Sequence, residues 1–239
     1  MTQPTDRTTD RTVTLAPPQP VDTTTVRTWR PDGSARDVVL VLAHGAGSAL
    51  DGRVIATVAA GLAARGVTTA TFNFGYREAG RRLPDLTDRL QRAFVDVATA
   101  VTAEHGATRT VLGGRSMGGR IASLLAADGH GDGVVALGYP LCPRGGDPDP
   151  RRTRHWPAIR VPVLFVHGDR DRLCPVAALD AARHEHLSDT AHCAHVVIGA
   201  DHSFDVRVRD GRTRPEVDAE VVAVVDRWLH RVIEEERDG

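Results

Sequence analysis

Strand-like and helix-like segments alternate along nearly the whole chain, and that rhythm restricts it to a parallel sheet covered by helices on both faces. The run VVLVLAHG from Val38 is continuously apolar and ends in glycine, so it reads as a central strand buried on both sides. After it the pattern predicts a helix over about Gly52–Arg65, a strand in GVTTATFNF and a helix over about Leu83–His105. The strand TRTVLGGR, a helix after Ser116 and the strand GVVALGYP come next, followed by a loop over Cys142–Pro157. The strand VPVLFVHGD, a helix near Pro175, the strand AHVVIGA and a helix over about Pro215–Glu236 complete the series. Ahead of it, TTTVRTWR alternates like a half-exposed strand. Residues 1–22 are rich in Thr, Pro and Asp and read as a flexible tail able to donate an edge strand near Arg11–Leu15. A single domain over 23–239 follows, and the loop over Cys142–Pro157 is too short and polar to be a helical lid.

Reacting groups in such sheets collect on the loops that follow the carboxyl ends of the strands. Here those loops carry His44-Gly45-Ala46-Gly47, Asn73-Phe74-Gly75-Tyr76, Arg115-Ser116-Met117, Tyr139-Pro140, His167–Asp171 and Asp201-His202. Gly114-Arg115-Ser116-Met117-Gly118 fits G-x-S-x-G between a strand and a helix, the context of a nucleophile elbow. A serine in so tight a turn needs small neighbours two residues to either side, and the helix start behind it stabilises negative charge. Serine is also a good helix cap, so the pentapeptide alone leaves both roles open.

A serine hydroxyl needs a base, and the base needs an acid to hold its tautomer. Asp171 and then His202 end two later strands, which gives the chain order Ser116, Asp171, His202. Asp169 falls directly in the Gly168 turn, whereas Asp171 lies further out, where its side chain can reach a histidine; Asp201 reads as a turn residue. The N–H groups of Ala46 and Met117 are the candidate oxyanion donors, with Gly45 and Gly47 allowing close approach. Gly45, Phe74, Tyr76 and Arg77 are candidate substrate contacts, Phe74 and Tyr76 being equally good as core. Arg77, Arg81, Arg82 and Arg115 lie on or near the rim, where solvated charge is the simpler reading and recognition of an anionic group the functional one. Arg115 is assigned a supporting structural role beside the elbow.

Composition closes off other chemistries. Thirty basic residues against 31 acidic ones give no field for a nucleic-acid backbone, and the chain contains no lysine, which excludes Schiff-base and P-loop lysine chemistry. His184, His186, His192, His195 and His202, with Cys193, show no recognisable zinc-ligand spacing, so no metal or organic cofactor is expected. Cys142, Cys174 and Cys193 form no C-x-x-C pair and suit a reducing compartment. No apolar run has the length of a membrane span, and the first residues lack a signal peptide's apolar core, so a cytoplasmic protein with a small-molecule substrate is expected.

Taken together, LAHGAG, GGRSMGGR, VPVLFVHGDRD and GADHSF resemble a small, lidless α/β-hydrolase. With FNFGYREAGRR and GYPLCPRG, the chain is similar to bacterial members of a hydrolase-like family that includes a human testis-expressed protein and a chromatin-complex subunit. It is more distantly similar to dienelactone hydrolases, which use cysteine where this chain has Ser116. The resemblance covers roughly Val38 to the C-terminus and implies the α/β-hydrolase fold with Ser116 as nucleophile, Asp171 as acid and His202 as base. The expected activity is ester or acyl hydrolysis through an acyl-enzyme. Acyl transfer by the same residues, or a non-catalytic scaffold, are the competing readings.

Overall fold

The continuous apolar run at Val38 becomes a fully buried central strand, and the rest of the sheet grows outward from it. The computed structural model describes residues 8–143 and 146–234. Its strands are β1 (Thr8–Thr14), β2 (Thr23–Trp29), β3 (Val39–Ala43), β4 (Thr68–Phe72), β5 (Thr110–Arg115), β6 (Gly133–Leu137), β7 (Val163–Gly168) and β8 (His192–Val197). They form one 8-stranded sheet in the order β1-β2-β4-β3-β5-β6-β7-β8. β2 runs antiparallel to both of its neighbours, and the pairings from β4 to β8 are all parallel. β3 and β5 therefore lie side by side near the centre, with Ala43 opposite Gly114 at their carboxyl ends.

Side-chain alternation along the strands divides the core in two. Val39, Val41 and Ala43 face α3 (Thr87–His105), α4 (Met117–Ala127) and α5 (Val176–His186). Leu40 and Leu42 face α1 (Arg53–Ala63) and α6 (Arg214–Glu234). In α1 the buried residues Val54, Ile55, Val58, Ala59 and Leu62 repeat at helical spacing, which presses one stripe onto the sheet.

Three features differ from the sequence reading. The edge strand expected near Arg11–Leu15 starts earlier and is longer: Thr8–Thr14 pair along their length with β2, with Val13 and Leu15 turned inward and buried. Residues 1–7 lie outside the described residues. A short helix α2 (Gly75–Glu78) follows β4, and β8 begins at His192, two residues earlier than expected, because Ile198 to Ala200 are taken up by the turn that leads to His202.

Between β6 and β7 the described residues form two single 3-10 turns, Pro150–Arg152 and Trp156–Ala158, with no lid. Buried Trp156 pins this segment, its Nε1 donating to Tyr139 Oη at 3.2 Å while that hydroxyl donates to the Arg152 carbonyl at 2.5 Å. Ser123 Oγ donates to the Arg120 carbonyl and stands 2.8 Å from His155 Nε2, so the imidazole is the donor in that second contact.

Burial and the nearby Arg120 and Arg154 lower the His155 pKa to about 4. Its folded value thus lies below the ordinary histidine value of about 6.5, so its contribution to stability is complete above that value and is lost as pH falls toward 4. His155→Gln should flatten the dependence of urea-unfolding free energy on pH between these limits by ~1 kcal/mol per pH unit. Equal slopes for the two proteins would contradict this.

Candidate active site

Ser116 sits between β5 and α4 at φ 51° and ψ −112°, a left-handed conformation that costs a non-glycine residue about 1–3 kcal/mol. The cost is sustained because the elbow is held from both sides: Ser116 N–H donates to the Leu137 carbonyl at 2.9 Å, and its own carbonyl accepts from Arg120 N at 3.0 Å. A Cβ at either Gly114 or Gly118 would collide with the Ala43 carbonyl. Only glycine at both positions lets α4 start this close to β3, and that proximity lifts the serine above the strand ends.

The sequence reading brings three distant residues to this point, and the structure places them in a line. Asp171 Oδ2 stands 2.7 Å from His202 Nδ1, and His202 Nε2 stands 3.0 Å from Ser116 Oγ. A carboxylate only accepts, so Nδ1 carries the proton and Nε2 is left free to accept one from the serine. The other Asp171 oxygen accepts from Leu173 N at 2.8 Å, and the side chain is fully buried, which fixes its direction. Asp169 is elsewhere, accepting from Gly199 N at 2.7 Å and closing the turn after β8. Asp201 accepts from Ser203 N and Asp205 N at 2.8 and 3.1 Å, a turn residue as read.

Two neighbours of His202 escape a motif search. Gly138, the glycine in GVVALGYP, lies against the imidazole and turns the chain at φ 64°, a conformation that favours glycine. Phe204 adopts φ 58°, an unfavourable turn conformation held by complete burial of its ring beneath the loop. Neither carries a polar signature, so only the strand-ending glycine could have marked the first.

The loop after β3 is organised by His44. Its Nε2 accepts from Phe74 N at 3.2 Å, so Nδ1 holds the hydrogen and donates it to the Gly45 carbonyl at 2.8 Å. Burial above all drives the His44 pKa down to about 4, which keeps the ring neutral and this tautomer in place. Because the peptide is trans and planar, tying the Gly45 carbonyl toward His44 sends the Ala46 N–H the opposite way. Ala46 is exposed, and Gly45 lies close to Ser116: a Cβ on it would be 3.5 Å from Ser116 Cβ. Met117 is the first residue of α4, where no preceding turn supplies an acceptor for its N–H.

The remaining expectations separate cleanly. Phe74 and Tyr76 do not line a substrate wall; both are completely buried and pack edge-on against the His44 ring, at 5.1 and 5.8 Å between centroids. Their apolar area is worth more beneath the loop than on its surface. Arg77 is half-buried near His44 and opposes protonation of that ring, while Arg81 is paired with Asp85 at 2.5 Å. A cavity of about 170 Å³ opens beside the elbow, lined by His44, Gly45, Ser48, Arg53, Arg115 and Ser203.

Among the described residues no three His, Cys, Asp or Glu side chains group so as to hold a metal. The histidines considered for zinc have local partners instead: His195 Nε2 is 2.7 Å from Glu220, and His184 and His192 use Nδ1 on nearby carbonyls. His192 is the first residue of β8 and His195 lies within it. Cys142 and Cys174 are buried, and desolvation raises both thiols, Cys174 most strongly, so neither is poised as a nucleophile. No helix among the described residues is long and apolar enough to cross a membrane.

The sheet order, the absence of a lid among the described residues and this strand-end geometry define an α/β-hydrolase. The chain belongs to that family: the model described as an alpha/beta hydrolase domain matches residues 36–230. Its fold is similar to an alpha-beta serine hydrolase homologue from Coxiella burnetii, with TM-score 0.73 and 21% identity over 92% of this chain and 97% of that one. A lidless serine hydrolase from Xanthomonas campestris gives TM-score 0.70 and 18% identity over 93% and 95% of the two chains. A dienelactone hydrolase from Anabaena variabilis gives 0.70 and 18% over 94% and 98%.

If the approach of α4 to β3 sets the elbow, a single methyl group should disturb it. Gly118→Ala is expected to destabilise the protein by about 3 kcal/mol, the upper range for overpacking, in urea unfolding. A loss under about 0.5 kcal/mol, the level of an uninvolved surface change, would show that the contact has slack.

Proposed function

We propose that this protein is a serine hydrolase that cleaves a carboxylic ester or similar small acyl compound through an acyl-enzyme on Ser116. The observation that carries the reading is the unbroken line from Asp171 Oδ2 through the His202 ring to Ser116 Oγ, at 2.7 and 3.0 Å. In this reading Ser116 Oγ attacks the acyl carbon while its proton passes to His202 Nε2. Asp171 stabilises the resulting imidazolium. The negative charge that develops on the carbonyl oxygen is taken by the Ala46 and Met117 N–H groups, whose cost of orientation is met in the folded state. Collapse of the tetrahedral intermediate breaks the bond to the leaving alcohol, which departs with the proton from Nε2. A water molecule then repeats the sequence, giving its proton to His202 and its oxygen to the acyl carbon, and Ser116 is restored as the acid leaves.

Membership of the α/β-hydrolase family supports a hydrolase of this type. The likeness to the testis-expressed and chromatin-subunit family is a finer part of the proposal and rests on FNFGYREAGRR and GYPLCPRG. A site without a lid favours small or exposed acyl groups, because substrate is not enclosed on all sides. Arg77, beside the loop after β3, is proposed to meet the substrate. Three free cysteines support action in a reducing compartment, the cytoplasm.

A fluorophosphonate probe should label the protein at Ser116, and short p-nitrophenyl esters should turn over. Asp171→Asn should lower kcat by roughly 10⁴, the cost of presenting the wrong imidazole tautomer. Asp169→Asn, which alters only the turn after β8, should retain kcat within a few-fold. The absence of both labelling and turnover in the wild type would remove the enzymatic reading, and a larger loss at Asp169 would overturn the choice of acid.

A further inference from the structure

Arg115 has no place in the acid–base chemistry, yet its side chain stays at the site instead of extending into solvent. It is the last residue of β5, directly before the nucleophile, and is only partly exposed. Its Nη2 donates to the His202 carbonyl at 3.3 Å and to Ser203 Oγ at 3.0 Å. Its Nη1 occupies the space beside Gly45, 3.2 Å from where a Cβ on that residue would stand. Among the described residues no carboxylate lies within ion-pair distance of it; Asp171, Asp201 and Asp205 act on it only from further away. Arg53 completes the grip on the same loop, donating to the Ser203 carbonyl at 2.5 Å while paired with Asp205 and Asp218.

A guanidinium that is partly desolvated and lacks a carboxylate partner is a costly way to brace a loop. What it achieves is geometric. One terminal nitrogen, Nη2, serves two groups at once, and the residue's own backbone is continuous with the elbow. The nucleophile and the base are thereby joined through one side chain, in addition to the hydrogen bond between them. Gly45 lies against the other end of the same fork, so the loop after β3 meets it as well.

We propose that Arg115 is a positioning residue that holds the His202–Ser203 loop in register with the Ser116 elbow. The inference rests on the serine-hydrolase reading for its kinetic consequence but not for its structural one. Loss of the tie lets the imidazole drift from Oγ, and a misplacement of about 1 Å costs on the order of 10²-fold in rate. Substrate affinity has no direct stake in the contact.

The test compares wild type, Arg115→Met and Arg115→Lys in full-length protein. For Arg115→Met, kcat on a p-nitrophenyl ester and the rate of fluorophosphonate labelling should both fall by about 10- to 100-fold, with KM within about threefold. Arg115→Lys keeps the charge and a terminal nitrogen able to donate to the same acceptors, so it should recover part of kcat. Added guanidinium ion, which fits the cavity of about 170 Å³ beside the site, should raise kcat of Arg115→Met and not that of the wild type. Hydrogen exchange of the 201–205 amides should quicken in Arg115→Met whether or not any substrate turns over. If the wild type neither labels nor turns over, the enzymatic reading fails, and the exchange result alone decides on the tie. Should Arg115→Met not fold, the Lys variant decides by the same readings. Unchanged exchange with kcat within twofold of wild type would overturn the proposal, as would a rise in KM at constant kcat, which would make Arg115 a substrate contact.

Discussion

The close approach of α4 to β3 governs the rest of the site. With hydrogen in place of a side chain at Gly114 and Gly118, the first turn of the helix meets the Ala43 carbonyl directly. The residue between strand and helix must then turn through a left-handed conformation, and Ser116 is the residue so placed. Its hydroxyl is raised above the strand ends, and the first N–H of α4 is left without an internal partner. A raised hydroxyl and a backbone N–H without a helical partner thus follow from one steric condition.

The other two loops are shaped by polar groups whose partners are fixed by chemistry. The Asp171 carboxylate can only accept, which dictates the His202 tautomer and so the atom presented to Ser116. His44 works by the same logic in reverse: a backbone N–H on one ring nitrogen and a carbonyl on the other leave one tautomer, and burial holds it neutral. Phe74 and Tyr76 supply the apolar seat for that ring. Phe204, two residues after His202, accepts an unfavourable backbone angle with its ring fully buried in the core. Strain at Ser116 and Phe204 is thus offset by packing that lies outside the reacting groups.

How much of this was legible depended on whether a residue's role is encoded locally. The parallel sheet could be read because VVLVLAHG and its counterparts are apolar without alternation, a direct consequence of cover on both faces. Ser116, Asp171 and His202 could be nominated because each ends a strand, and the choice between Asp169 and Asp171 followed from distance to the Gly168 turn. Phe74 and Tyr76 were ambiguous because an aromatic after a strand serves a core and a pocket wall equally well. The edge strand was legible near Arg11–Leu15 but its start at Thr8 was not, since an edge strand reveals itself through one face only and here that face is little more than Val13, with Leu15 just beyond. The bridge from Arg115 to His202 and Ser203 spans 87 and 88 positions in the chain, and no local pattern records a contact of that kind.

The central claim is that Ser116 becomes covalently acylated because His202 takes its proton. Acid-quenching the protein within milliseconds of mixing with a p-nitrophenyl ester, followed by intact-mass measurement and peptide mapping, tests this most directly. The account predicts a single added acyl group on the peptide containing Ser116, absent when His202 is replaced by alanine. An acyl group on any other residue, or steady turnover with no adduct and no effect of the histidine substitution, would contradict it.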